Sequence, residues 1–240
     1  MNFAETIIKK RFDTMAARQI CIAFLGDSVT NGCFELYPVD DHLATVYDEA
    51  SAYHSVLKKL FAVVYPDVPF VMINAGISGD TIEGGLSRLD RDVLSYHPDI
   101  VVVSFGLNHY MDDEKGLASF ENSLREIIER TKKSGADVIV MTPNMIADRV
   151  AGTVREPMML SVAERICTPE NSDNVGRHIE SMRRIAKEMS VPLCDCYAVW
   201  EKMKASGADL PDLLSNKINH PRRELHGIFA YELFKTIIGA

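Results

Sequence analysis

Ile20-Cys21-Ile22-Ala23-Phe24-Leu25 runs without interruption into Gly26-Asp27-Ser28-Val29-Thr30-Asn31-Gly32. A short apolar run ended by small and polar residues has the make-up of a strand buried on both faces. Such strands belong to parallel sheets under helices, because half-solvated antiparallel strands alternate instead. Similar runs recur at 70–74 (FVMIN), 100–105 (IVVVSF), 137–142 (DVIVMT) and 191–196 (VPLCDC). Amphipathic spacing predicts helices between them, near 51–65, 82–96, 115–134 and 173–190, and a last one at 222–238. Alternating strands and helices imply an α/β fold with a central parallel sheet of about five strands. Right-handed crossovers then carry every strand's C-terminal end to one edge, where ligand sites of open α/β sheets gather.

The loops leaving the strand ends are therefore the segments that can meet. After the first strand comes the Gly26-Asp27-Ser28 segment; after the second, Asn74-Ala75-Gly76-Ile77-Ser78-Gly79-Asp80-Thr81. After the third comes Gly106-Leu107-Asn108-His109, and beyond the fifth lies Asn216-Lys217-Ile218-Asn219-His220-Pro221. Acyl transfer draws on this set. A hydroxyl attacks only when a base removes its proton, and imidazole titrates near neutrality. Ser28 offers the hydroxyl and His220 the base. The oxyanion of a tetrahedral intermediate needs donors aimed in advance. The backbone N–H groups of Ser28 and Gly79 and the side-chain amide of Asn108 are such donors. Each residue alone has an ordinary reading: Gly-Asp-Ser is common turn chemistry, Asn108 could shape a turn, and His220 could be a solvated loop histidine. Their conjunction at one predicted edge favours the catalytic reading.

These blocks resemble the SGNH (GDSL-type) hydrolase family, in which Ser, Gly, Asn and His come in this order, from Gly26 to about residue 230. The resemblance implies a flavodoxin-like three-layer α/β/α sandwich spanning residues 1–240 as a single domain. It implies a serine esterase or acylhydrolase acting through an acyl-enzyme on a small-molecule ester such as an acetylated carbohydrate, without metal or organic cofactor. Acyl transfer to an acceptor, or a weakened binding module of the same fold, are the alternatives. Two departures stand out. His109 replaces the aspartate usual after the asparagine. Lys217 occupies the position three before His220, where an aspartate usually orients the histidine. Three readings are open: a backbone carbonyl holds the imidazole, a side chain such as Asn216 or Asp212 substitutes, or activity is lost. Asp27 is expected to brace the serine loop through hydrogen bonds, and His109 either to touch substrate or to exchange one hydrogen-bonding partner for another.

Composition narrows the field. Hydrophobic residues make up 47% and charged residues 25% of 240, an ordinary globular balance. The net charge of −8 disfavours tracking a nucleic-acid backbone. No unbroken apolar stretch could span a bilayer. Lys9, Lys10 and Arg11 come after rather than before the N-terminal apolar residues, so a secretory signal is not expected and a cytoplasmic location is. The phosphate cradles G-x-G-x-x-G and G-x-x-x-x-G-K-[ST] are absent after the first strand, which disfavours a nucleotide binder. Five cysteines read as buried free thiols, with Cys194 and Cys196 on one face of a strand. The stretch 143–172 is too long for a bare connection and is read as a pocket wall with a short helix near 158–166.

Overall fold

The computed structural model of the protein describes residues 3–13, 15 and 17–239. Its strands are β1 (Ile20–Gly26), β2 (Cys33–Val39), β3 (His42–Tyr47), β4 (Phe70–Gly76), β5 (Ile100–Ser104), β6 (Asp137–Met141) and β7 (Leu193–Cys194). Five of them form a parallel sheet in the order β4-β1-β5-β6-β7. Every residue of β1 and β5 is buried, as continuous apolar runs require when helices cover both faces. One layer holds the helices Phe3–Phe12, Tyr53–Val64, Cys196–Ala205 and His226–Ile238. The opposite layer holds Ile82–Asp92, Glu114–Lys133 and Pro169–Glu188. The result is an α/β/α sandwich.

Register fixes where the loops emerge. Gly26 stands opposite Gly76 on one side and Ser104 on the other, so the chain leaves β1, β4 and β5 at one level. Gly76 allows the turns to meet: a Cβ there would lie 2.2 Å from the Asn31 nitrogen and 2.6 Å from the Thr30 carbonyl carbon. No rotamer change relieves a clash with main chain.

Sequence and structure part in three places. Residues 33–47, where the sequence predicted no element, form the antiparallel ribbon β2–β3, turning at Asp40 with φ of 50°. The fifth strand shrinks from 191–196 to Leu193–Cys194, because Asp195 caps the next helix through the Ala198 amide. Cys196 is thus helical, yet its sulfur remains 3.6 Å from that of Cys194, and all five cysteines are free and buried. In the 143–172 stretch the short helix is present as Pro157–Ile166. The next helix starts at Pro169, earlier than its apolar spacing indicates, because Thr168 caps it and proline suits the first turn. No helix among the described residues is long and apolar enough to cross a membrane.

Candidate active site

Ser28 opens a single helical turn, Ser28–Asn31, directly after β1. Asp27 caps it by accepting the Val29 amide at 3.0 Å, and Gly32 ends it in the left-handed conformation. The histidine arrives from far along the chain on a loop braced from within. Asn216 Oδ1 accepts the amides of Ile218, Asn219 and His220 at 2.9–3.0 Å, while Ser215 N–H donates to the His220 carbonyl at 2.7 Å. His220 Nε2 then lies 3.0 Å from Ser28 Oγ. Its Nδ1 lies 2.8 Å from the Phe34 carbonyl oxygen, which can only accept. The proton of neutral His220 therefore sits on Nδ1, and Nε2 presents its lone pair to the serine hydroxyl. Both side chains are buried, with Ser28 only 3% and His220 5% exposed. Burial pushes the imidazole pKa down to about 4; the Phe34 hydrogen bond and the Glu35 charge oppose that shift.

The donor side is assembled from the neighbouring strand ends. Gly79 has φ of +78°, a left-handed geometry natural to glycine, and a Cβ there would touch nothing. Among the described residues the amides of Ser28 and Gly79 have no intramolecular acceptor. Asn108 sits in the turn after β5 and gives one hydrogen of its amide to the Asp80 carbonyl at 2.8 Å, leaving the second hydrogen uncommitted. Below these turns lies the buried side chain of Arg88. It donates to the carbonyls of Ala75 and Gly26 and to Asp80, tying the β1 and β4 ends together.

The residues considered for orienting His220 are engaged elsewhere. Asp212 is largely exposed and pairs with Lys217 at 2.9 Å. Asn216 holds loop amides rather than the imidazole. The group at Nδ1 is a backbone carbonyl, the first of the three open readings, and it comes from Phe34 on the β2 strand, which the sequence did not predict. Around it lies a clamp equally unforeseen: the Arg223 guanidinium stacks 4.3 Å from the Phe34 ring centroid and binds Glu35 and Asp48. A main-chain acceptor leaves no signature in sequence, although the Arg223 and Glu35 charges could have suggested a pair.

Asp27 and His109 do not meet the serine hydroxyl. Asp27 Oδ2 is buried without a partner among the described residues, and burial raises its pKa to about 7. His109 turns inward to the Ile82 amide and Asp112. A cavity of about 590 Å³ opens at the other end of the sheet beside Ile100, Asp137 and Val191, remote from this site. A smaller one of about 250 Å³ lies behind the histidine loop, between Glu35, Lys217 and Arg223.

Comparison with known proteins agrees with this architecture. An acetylxylan esterase of Geobacillus stearothermophilus is 26% identical over 191 residues, covering 76% of this chain and 78% of that protein. An arylesterase of Vibrio mimicus is 31% identical over 113 residues, covering 42% of this chain and 54% of that one. The solved structure of a lipase/acylhydrolase from Enterococcus faecalis superposes with a TM-score of 0.66 at 21% identity, covering 92% of this chain and 96% of the other. That likeness establishes the fold. The model of the GDSL-like Lipase/Acylhydrolase family matches residues 24–228, a span holding all four blocks of the site. The chain belongs to that family, as a hydrolase of carboxylic esters.

Proposed function

We propose that the protein is a serine esterase for short acyl esters, acetylated carbohydrate being the leading substrate class, with Ser28 as nucleophile and His220 as its base. The observation that carries this reading is the 3.0 Å contact between His220 Nε2 and Ser28 Oγ, with Nδ1 held by Phe34. As Oγ attacks the acyl carbon, Nε2 takes its proton. The carbonyl oxygen becomes an oxyanion between the amides of Ser28 and Gly79 and the free hydrogen of Asn108. The imidazolium then returns the proton to the leaving alkoxide, and the alcohol departs from an acyl-enzyme. Water attacks that ester in turn, with His220 acting as base once more. Residues 1–240 work as one domain in this reading.

A carboxylate is not required for the correct tautomer, because the Phe34 carbonyl selects Nδ1–H. Among the described residues no carboxylate touches the imidazole; Glu35 acts from a distance. Turnover is therefore expected below that of a full triad, without being abolished. The acetyl preference draws on the acetylxylan esterase relative. The test is p-nitrophenyl acetate and acetylated xylo-oligosaccharide turnover, together with labelling by a fluorophosphonate. Wild type should release acetate and take the label, and Ser28→Ala should do neither. An unlabelled, inert wild type, or a Ser28→Ala protein of undiminished activity, overturns the reading.

A further inference from the structure

Beside the proposed oxyanion donors lies a second titratable group, His109, Asp112 and His178, each offering one side-chain N or O atom within 4.8 Å of the other two. One bond in it has a fixed direction. The Ile82 amide, at the start of the Ile82–Asp92 helix, can only donate, and it donates to His109 Nε2 at 3.3 Å. Nε2 therefore carries no proton, and the single hydrogen of the neutral ring sits on Nδ1. Nδ1 in turn lies 2.8 Å from Asp112 Oδ2. His178 Nε2 approaches the same oxygen at 3.1 Å, while its Nδ1 meets the Asn174 carbonyl at 2.8 Å. Glu83 stands 3.8 Å from His109 Nε2, and Phe120 closes the group edge-on to both rings. A metal ion here would need a lone pair on His109 Nδ1, the atom that the Ile82 bond leaves protonated. His109 is instead held by a hydrogen bond at each ring nitrogen.

Resting on the serine-esterase reading, we propose that His109 is a positioning residue for the oxyanion donors, locked by Asp112 in the Nδ1–H tautomer so that Nε2 anchors the Ile82 amide. The anchor lies just after Gly79. Asn108, immediately before His109, holds the Asp80 carbonyl. Adjacent side chains of one loop thus grip the 79–82 turn at two points, and the Gly79 amide keeps its place relative to Asn108 as charge develops. This accounts for a histidine where the family usually has aspartate: either residue offers an acceptor, but histidine does so only in one tautomer, and Asp112 enforces it.

Two measurements test this. Long-range ¹⁵N–¹H NMR of the wild-type imidazoles at neutral pH should find His109 protonated on Nδ1 alone. Kinetically, His109→Phe, which has no acceptor, should lower kcat by roughly 10–100-fold with KM nearly unchanged. His109→Gln, whose side-chain oxygen reaches about as far as Nε2, should recover most of that loss. A proton on Nε2, stoichiometric Zn²⁺ binding through Nδ1, a Phe variant with wild-type kcat, or a Gln variant as impaired as Phe would each overturn the proposal. A Phe variant that does not fold leaves the tautomer and the Gln variant to decide. Wild type that neither turns over ester nor takes the fluorophosphonate would instead overturn the esterase reading, and the positioning role with it.

Discussion

His220 combines two properties: a hydrogen bond that orders its tautomer, and an environment that resists its charge. Burial has already drawn its pKa to about 4, so the free enzyme keeps a neutral imidazole well below the usual value of 6.5. The kcat/KM profile for an aryl acetate should accordingly stay flat from neutrality to about pH 5 and reach half its plateau near pH 4. A midpoint close to 6.5 would contradict the buried setting. Asp212→Asn should leave kcat within about twofold, because its carboxylate serves the exposed Lys217 pair rather than the imidazole. A tenfold fall on that substitution would reinstate it as the orienting group.

At the scale of the elements, glycine at the end of β4 brings two turns into contact. Gly76→Ala would force a Cβ into the main chain of Thr30 and Asn31 and should destabilise the fold by about 3 kcal/mol, measured by urea denaturation. Because the strain falls on the turn carrying Ser28, activity should drop further than stability alone explains. The same elements mark what sequence could convey. Unbroken apolar strands such as IVVVS at 100–104 announce a buried parallel sheet, and the polar residues after them announce the site. The ribbon Cys33–Val39 and His42–Tyr47 does not announce itself. Its burial is uneven, Pro38 interrupts it, and its Asp40-Asp41 turn lacks the glycine that signals a tight hairpin. Missing that ribbon meant missing the Phe34 carbonyl, which answers the question raised by Lys217. His109 was legible as a departure, but the Ile82 amide that it accepts from is brought to it only by tertiary packing.

Across the molecule, buried histidines make stability sensitive to acid. His54, His178, His220 and His226 all have depressed pKa values, each chiefly through desolvation, with His220 near 4 and His226 near 3. In the unfolded chain they bind protons near 6.5, so between that value and about 4 the unfolded state holds more protons, and stability falls as pH falls. Asp27, raised to about 7, works in the opposite sense, adding stability at low pH that is lost as pH rises through neutrality. Four groups outweigh one. The calorimetric Tm should decline from pH 7 to pH 4.5, and His226→Phe should lessen the decline, since its ring packs among Phe34, Tyr53 and Phe229. An unchanged Tm over that range would show that those histidines are solvated.

The Phe34 oxygen has one more consequence. As part of the main chain it cannot be deleted by any point mutation, nor does it titrate, so the orientation of His220 is shielded from both sequence drift and acidity. Evolution could tune it only at one remove, by shifting the ribbon through Arg223, Glu35 and Asp48. Inherited variation in catalytic rate should then concentrate in those neighbours and spare the residue that provides the contact.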